Sequence, residues 1–271
     1  MMLKFIATTW RQSACILKIS IMLHVVIGIV FLIKPTLWPL LLTLLLLNHL
    51  LLTAIGLWPR SQLLGTNWVH LPASAIANNQ IALTIDDGPD PEITPKVLNI
   101  LDQHHVKATF FCIGEKAQLH PDLCQEIIRR GHAIENHTQQ HQHTFSFLGP
   151  NGFTKEIQAA QNTLTSITGQ EPKFFRAPAG LRNPFLDGVL NKLNLTLASW
   201  SVRGFDTKNS NAEQIKSKLI HHLRAGTILL LHDGNAARTH EGTPVILEIL
   251  PDLLSAAKIK GLHFITLRQA L

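Results

Sequence analysis

Two adjacent carboxylates, Asp86 and Asp87, follow an apolar run and precede a Gly88–Pro89 pair. Carboxylates of this kind serve as general bases or as ligands for a divalent cation. Asp, Gly and Pro are also ordinary turn residues, so this text alone fits a polar turn that ends a strand equally well. The functional hypothesis is that the turn holds both carboxylates at the end of a strand, one to bind a cation and one free as a base.

Two histidines, His137 and His141, are four residues apart and follow the strand-like text Gly131–Asn136. At this spacing they would share one face of a helix, as the two histidines of a zinc-binding helix do. The chain has 15 histidines, so the spacing alone favours a solvent-exposed pair. The pair is therefore a candidate metal site at a possible helix start, with an exposed pair as the alternative.

Three further polar segments follow apolar runs: Arg176–Gly180, Trp200–Asp206 and Ile228–Gly234. The first also reads as a rigid loop with a surface arginine. In the last, His232 comes directly after four aliphatic residues, a position that favours a buried imidazole for proton transfer over a surface residue.

Short apolar runs alternate with amphipathic stretches from about Ile76 to the end of the chain, which predicts an α/β fold with a mostly parallel sheet, open or closed into a barrel. Reactive groups then gather at the carboxyl ends of the strands. The seven predicted strands are Ile81–Ile85, Ala108–Cys112, His132–Glu135, Lys173–Arg176, Thr196–Trp200, Thr227–Leu231 and His263–Thr266. The predicted helices are Thr94–His105, Pro121–Arg130, Thr154–Thr168, Ala212–Leu223 and Pro244–Lys260.

The order and text of these segments resemble the polysaccharide deacetylases, the NodB-homology domain of carbohydrate esterase family 4. The resemblance covers nearly all of residues 80–271. Its segments are Thr84–Pro89 (family T-F-D-D-G-P, Ile85 replacing Phe), His137–His141 (H-[ST]-x-x-H), Arg176–Gly180 (R-x-P-Y-G, Ala179 replacing Tyr) and Leu230–His232 (L-x-H).

This resemblance implies a distorted (β/α) barrel of about seven parallel strands and a divalent metal ion bound by Asp87, His137 and His141. Zn²⁺ is expected, while Co²⁺, Ni²⁺ or Mn²⁺ also suit such a mixed set of nitrogen and oxygen ligands. It further implies that Asp86 is the general base, His232 the general acid, Arg176 the residue that holds Asp86, and Asp206 the partner of His232. Substrate and oxyanion contacts would come from Pro178, Ala179, Gly180 and Leu230.

Two departures from the family pattern change the expected substrate pocket. Ala179 replaces the usual Tyr, and Thr207 stands where the family often has Trp. The oxyanion contact survives the first change, because it uses the backbone N–H at Ala179. The altered walls favour a small or lipid-linked sugar over a long glycan.

The composition points to lipid, because 46% of residues are hydrophobic and only 15% are charged, against about 25% charged in typical soluble domains. No charged residue occurs between Lys34 and Arg60, and Ala14–Ile33 is also apolar apart from Lys18. Each stretch is long enough to cross a bilayer as a helix. We therefore expect residues 1–60 to form a transmembrane helical hairpin that anchors the protein, residues 61–75 a linker, and residues 76–271 the catalytic domain.

Charge and cysteine content indicate the expected partners, the redox state of the thiols and the side of the membrane. The net charge of +6 suits anionic membrane lipid, and no Lys/Arg run exceeds two residues, which argues against nucleic acid as a partner. The three cysteines are too few for a disulfide framework and are expected to be reduced. Because Lys4, Arg11 and Lys18 precede the first span, the positive-inside rule places the catalytic domain on the cytoplasmic side of a bacterial-type inner membrane. If the first apolar segment only lies in the interface, this orientation reverses.

These observations together predict a membrane-anchored, metal-dependent hydrolase that removes an N-acetyl group from an amino sugar in a glycan or on a lipid carrier. A polyprenyl-phosphate-linked N-acetylhexosamine is the expected lipid-linked form. One alternative is a deformylase that acts on a lipid-linked formamido sugar with the same machinery. The other is a catalytically inactive carbohydrate-binding domain.

Overall fold

The computed structural model describes residues 14–271 and begins with two apolar helices. Helix α1 (Cys15–Ile33) is followed by a 3₁₀ turn (Pro35–Leu37) and helix α2 (Trp38–Gly56). The spans Cys15–Ile33 and Pro35–Gly56 have mean hydropathies of 2.6 and 1.9, and most of the side chains of both helices are exposed. Both helices are therefore long and apolar enough to cross a membrane. Lys4 and Arg11, which carry part of the orientation argument, lie outside the described residues.

The rest of the chain folds around a mostly buried parallel sheet, which is curled into a half-barrel. This confirms the predicted α/β architecture. The strand order is β5-β4-β3-β2-β1-β7-β6, with β8 paired to β1. The strands are β1 (Gln80–Gly88), β2 (Thr109–Cys112), β3 (Ala133–Asn136), β4 (Phe174–Phe175), β5 (Thr196–Leu197), β6 (Val202–Arg203), β7 (Ile228–His232) and β8 (His263–Phe264).

Helices connect the strands and cover the outside of the sheet. They are α3 (Ala73–Ala77), α4 (Thr94–Gln103), α5 (Gly114–Leu119), α6 (Pro121–Arg129), α7 (Pro150–Thr168), α8 (Leu186–Lys192), α9 (Ala212–His221) and α10 (Val245–Ile259). Short 3₁₀ turns occur at Phe145–Phe147, Pro178–Gly180 and Leu267–Ala270.

The central strand β1 is buried on both faces, which is typical of a parallel sheet covered by helices. Its outward residues, such as Leu83 and Ile85, pack with residues of α4 and α10 in the main core. On its other face lie Thr84 and Asp86. Asp86 is in register with Phe111 of β2 and His232 of β7, so polar groups of neighbouring strands meet at one edge.

The segment predicted as a linker packs against the end of the sheet. The Trp68 N–H donates to the Leu197 carbonyl, and the Ser199 N–H donates to the Trp68 carbonyl, both at 2.9 Å. A few residues on, the Leu71 N–H donates to the Gly226 carbonyl at 2.9 Å. Residues 68–71 thereby join the region of β5 to the start of β7 and contribute to the domain's structure.

Candidate active site

The paired aspartates are among the last residues of strand β1, not in a turn that follows it. Neighbouring strand residues normally point to opposite faces. Here a β-bulge falls between Asp86 and Gly88, and Asp87 has φ 72° in the left-handed region. The bulge turns Asp87 back toward the side of Asp86, so that both carboxylates lie within reach of His137: its Nε2 is 3.2 Å from Asp87 Oδ1 and 3.8 Å from Asp86 Oδ2.

Asp87, His137 and His141 form a compact set of potential metal ligands. Asp87 Oδ1 lies 3.2 Å from Nε2 of each histidine, and the three ligand atoms lie within 4.8 Å of one another. The Nδ1 of His137 is 2.8 Å from the Arg176 carbonyl oxygen and donates to it, so Nε2, which faces Asp87, is the ring nitrogen that would bind a metal ion after losing its own proton. One carboxylate and two imidazole nitrogens in this arrangement fit a divalent cation.

The two histidines converge without the predicted helix, so that part of the prediction is wrong. Residues 137–141 form an irregular loop in which Thr138 and His141 have φ of 68° and 52°. Asn136 accepts the Thr138 N–H, and the Thr138 hydroxyl accepts the His141 N–H, each at 2.9 Å. These local side-chain bonds compete with helix formation and bring the imidazole rings to a centroid distance of 4.7 Å.

Electrostatics at this cluster suit cation binding. Burial, reinforced by the nearby His137, lowers the pKa of His141 to about 4. Burial alone would raise the pKa of the Asp87 carboxyl, but the hydrogen bond and charge of His137 outweigh it and hold that pKa well below its usual range. A neutral imidazole and an ionised carboxylate are the forms that bind metal.

Arg176 is 1% exposed and fixes Asp86. Its Nη1 donates to Asp86 Oδ1 at 2.6 Å and to the Thr84 hydroxyl at 2.8 Å. The Nε and Nη2 groups donate to the carbonyls of Ala198 and Ser199 at 3.0 and 2.7 Å. The guanidinium also stacks 4.0 Å from the centre of the Phe111 ring. These contacts leave Asp86 little freedom to rotate.

His232 at the end of β7 is held by Asp206. The ring Nδ1 lies 3.0 Å from Asp206 Oδ1, and the His232 N–H donates to Asp206 Oδ2 at 2.7 Å. Burial lowers the pKa of His232, but Asp206, aided by Asp86 and Asp87, outweighs burial and raises the pKa above its ordinary value. Because Nδ1 is engaged by Asp206, Nε2 is the ring atom available for proton transfer.

The remaining predicted residues line the same edge of the sheet. Pro178 and Gly180 are buried, while Ala179 between them is exposed with φ 53°. The N–H groups of Gly180 and Leu181 donate to the Ala177 and Pro178 carbonyls, whereas among residues 14–271 the Ala179 N–H makes no backbone hydrogen bond. Leu230 is buried in β7 two residues before His232 and so lies on the same face of the strand.

Comparison with known proteins shows which family the chain resembles. The polysaccharide deacetylase profile matches residues 75–198. A peptidoglycan-N-acetylglucosamine deacetylase of Bacillus cereus is 33% identical over 208 residues, which cover 74% of this chain and 73% of that relative. The chain belongs to the polysaccharide deacetylase family.

Two further matches show how far the likeness to other family members extends. A chitooligosaccharide deacetylase of Azorhizobium caulinodans is 38% identical over 165 residues, covering 60% of this polysaccharide deacetylase and 78% of the relative. A peptidoglycan N-acetylglucosamine deacetylase crystallised with 4-naphthalen-1-yl-N-oxidanyl-benzamide superposes with a TM-score of 0.69 at 30% identity. That match covers 76% of this chain and 92% of the crystallised one. The first helix, by contrast, lies wholly outside the residues that the family profile matches.

Several residues that support the cluster in this polysaccharide deacetylase were not foreseen. Asn235 donates to Asp87 Oδ2 at 3.3 Å, and Lys116 donates to the Asp87 carbonyl at 2.8 Å. Asp233 is fully buried against the bulge, where a Cβ at Gly88 would lie 2.5 Å from its Oδ1. Burial raises the pKa of Asp233 to about 7. Asp233 could have been found from its position next to His232 in the sequence. Nothing in the sequence around Asn235 indicates a functional residue.

Proposed function

We propose that this protein is a membrane-anchored, metal-dependent hydrolase that removes the N-acetyl group from an amino sugar carried on polyprenyl phosphate. The observation that carries the proposal is the meeting of three ligand candidates, Asp87, His137 and His141, with two buried, differently partnered groups, Asp86 and His232, at one edge of the sheet. Hydrolysis of an amide requires polarisation of its carbonyl and protonation of its leaving nitrogen. Groups at this edge of the sheet can supply both.

Asp87, His137 and His141 would hold the divalent ion, with Zn²⁺ favoured by the two imidazoles and Co²⁺, Ni²⁺ or Mn²⁺ accepted. Such an ion supplies a Lewis acid that polarises the acetyl carbonyl and acidifies water at the site. With only three protein ligands, the site would leave room at the ion for water and substrate, as catalytic metal sites require.

Asp86 acts as the general base. Arg176 binds its Oδ1, which leaves Oδ2 as the oxygen that takes a proton from the attacking water. The water oxygen forms a bond to the acetyl carbon, and the developing negative charge on the carbonyl oxygen is met by the Ala179 N–H. In this scheme the fixed carboxylate activates the water, and the exposed amide N–H stabilises the carbonyl oxygen.

His232 acts as the general acid. With Asp206 on Nδ1, its protonated form is favoured and Nε2 donates to the sugar nitrogen as the carbon–nitrogen bond breaks. The products are acetate and the free amino sugar. Without this proton the leaving group would be an amide anion, so the acid is essential for an amide substrate.

The lipid-linked form of the substrate is supported by the anchor. Two helices long enough to span a bilayer precede the catalytic domain directly, and Trp68–Leu71 attach the following segment to the sheet. Such an arrangement keeps the active site beside the membrane surface. The relatives named above are deacetylases of peptidoglycan N-acetylglucosamine and of chitooligosaccharides, which supports an N-acetylated amino sugar.

Mass spectrometry of the sugar product tests the proposal. Full-length protein in detergent is incubated with polyprenyl-phosphate-linked N-acetylhexosamine, with its formamido analogue and with N-acetylchitooligosaccharides, and metal content is measured by elemental analysis. We expect about one divalent ion per chain and loss of acetyl, with Asp86→Asn as the inactive control. Loss of formyl alone would favour the deformylase, and a metal-loaded protein that releases neither group would contradict the proposal.

A further inference from the structure

A cavity of about 940 Å³ lies between the helical hairpin and the catalytic domain. This volume is at the upper end of the range of ligand pockets. Most of its lining is apolar. The hairpin contributes Leu17, Ser20, Ile21, His49, Leu52, Thr53 and Leu57, and the facing domain wall includes Phe147, Phe185 and Val189.

The cavity lies at the end of the hairpin that is joined to the domain. Its hairpin wall comprises the first turns of α1, from Leu17 to Ile21, and the last turns of α2 together with Leu57. The turn between the helices, Pro35–Leu37, is at the opposite end. If the hairpin spans a bilayer, the cavity therefore lies at the membrane surface that faces the domain.

The domain wall of the cavity continues the loops of the active site. One part, from Ser146 to Pro150, follows His141 after a few residues, and the other, from Arg182 to Lys192, follows the Pro178–Gly180 turn. The Arg182 N–H donates to the Gly56 carbonyl at 3.2 Å. The loop that carries the Ala179 N–H is thus attached directly to the end of the hairpin.

Arg182 brings a buried positive charge to this apolar wall. It is 4% exposed, one Nη2 hydrogen bond goes to the Ser61 carbonyl, and its Nε has no hydrogen-bond partner. Within residues 14–271 no carboxylate forms an ion pair with it. Asp187, which also lines the cavity, acts on it only at longer range. A buried cation with one carbonyl acceptor and no carboxylate in contact is costly, so the site is suited to an anionic group.

We propose that this cavity binds the polyprenyl chain of the lipid-linked substrate, with the phosphate against Arg182 and the sugar directed to the catalytic edge. The ligand must combine a long apolar chain, an anion at the membrane surface and an amino sugar beyond it, and a polyprenyl-phosphate sugar has these three parts in that order. The lipid site depends on the proposed function for its substrate, but binding of the chain is measurable without catalysis.

Gly188 allows the cavity to be filled without disturbing the protein. It lies in α8 and lines the cavity, and a Cβ added there meets no atom within 4 Å. Leucine is also a better helix former than glycine. In Gly188→Leu the new side chain occupies space that the lipid chain would use, and it leaves Arg182 and the catalytic residues unchanged.

The test is binding of polyprenyl monophosphate to the full-length protein in detergent, by native mass spectrometry and titration. We expect the Kd of Gly188→Leu to rise roughly tenfold or more, because excluding two buried methylenes already costs about that factor. The ratio of kcat/KM for the lipid-linked sugar to that for a soluble N-acetylchitooligosaccharide should fall by a similar factor. Gly28→Leu is the matched control, since Gly28 lies in α1, also has open space around it and does not line the cavity.

Three results would overturn the lipid site. The first is an equal Kd for polyprenyl monophosphate in wild type and Gly188→Leu, and the second is an equal loss of affinity in Gly28→Leu. The third is equally strong competition by phosphatidylglycerol, which would indicate a general lipid contact. A wild type that deacetylates no sugar yet binds polyprenyl phosphate in a Gly188-dependent way would refute the proposed function and retain the site. Occupation by another part of the chain is tested with Gly188→Cys in a Cys15→Ser background. Maleimide labelling that polyprenyl phosphate slows supports the site, and labelling blocked with or without lipid overturns it.

Discussion

At the scale of single residues, the two aspartates differ because of their partners. Asp87 contacts two imidazoles through Oδ1, while Asp86 is held by a buried guanidinium through its own Oδ1. The β-bulge and the positive φ of Asp87 create this difference between neighbours that are identical in the sequence. Their environments therefore support the different roles proposed for two chemically equal side chains.

Asp86→Asn should keep the metal and lose about 10²–10⁴-fold in kcat, because the amide oxygen still accepts from Arg176 but cannot take a proton. Asp87→Asn should instead lower metal affinity first. Elemental analysis after dialysis and initial rates at saturating metal measure both effects. Loss of metal in Asp86→Asn, with retention in Asp87→Asn, would mean that the two roles are exchanged.

His232→Ala should slow hydrolysis of the amide far more than hydrolysis of an activated ester. An amine leaving group needs a proton from Nε2, whereas the leaving group of an activated ester departs without one. We expect a loss of about 10²-fold or more on the amide with metal content unchanged, as measured by parallel assays on both substrates. Equal slowing on both substrates would rule out His232 as the general acid.

At the scale of elements, the long apolar or amphipathic segments were predictable and the short irregular ones were not. Strand β1 and helix α10 are visible in the sequence because burial imposes a long pattern. Strand β6, Val202–Arg203, was not predicted, since two residues carry no periodicity. It forms because Val202 and Arg203 pair with Leu229 and Leu230 of β7, a tertiary contact.

The candidate site shows the same limit. The residues Asp87, His137 and His141 were identified through the family resemblance, while the spacing of the histidines alone suggested a helix. The structure replaces that helix with a loop bonded by Asn136 and Thr138, because short polar side chains satisfy the backbone locally. The resemblance therefore supplied the candidate ligands, whereas the spacing of the histidines alone gave the wrong local geometry.

The junction between β2 and β3 contains a buried histidine whose protonation should destabilise the fold. His132 Nδ1 accepts the Ala108 N–H at 3.1 Å, so the ring proton is on Nε2, which is buried and has no hydrogen-bond partner in the part of the chain that the structure describes. Burial, with help from Lys107, lowers the pKa of His132 to about 4. Protonation at Nδ1 would break the bond that joins the starts of the two strands.

Because the folded pKa lies below the unfolded value of about 6.5, the unfolded chain binds more protons between these two values. Stability from the neutral ring is complete above about pH 6.5 and is lost as pH falls toward 4. In His132→Asn, whose side-chain oxygen can still accept the Ala108 N–H, the loss between pH 7 and pH 4.5 should be smaller by about 2–3 kcal/mol. Denaturant unfolding at a series of pH values measures this, with His221→Asn as the control for removing one imidazole. Parallel pH curves for wild type and His132→Asn would contradict it.

At the scale of the whole molecule, the hairpin and the sheet form one continuous structure. Polar contacts fix the two helices to each other: Asn48 donates to the Ser20 hydroxyl at 2.9 Å, and the Nε2 atoms of His24 and His49 are 3.4 Å apart. The Ser199 hydroxyl donates to the Pro59 carbonyl at 2.8 Å, which ties the end of the hairpin to the sheet. The orientation of the hairpin in a membrane therefore decides where the active site operates.

We expect a reporter fused after Leu271 to be cytoplasmic. Two spans return the chain to its starting side. In the sequence, Lys4 and Arg11 precede the first span, Lys18 lies near its start and Arg60 follows the second span, against Lys34 alone in the turn. The measurement is the activity of alkaline phosphatase and of a cytoplasmically active reporter in a bacterial host. As a control, the same fusions after Pro35, which retain only the first span, should report the opposite side. An active phosphatase after Leu271 together with an inactive one after Pro35 would show that the topology is reversed. The sugar on which the enzyme acts would then be sought in the periplasmic glycan instead of on the cytoplasmic leaflet.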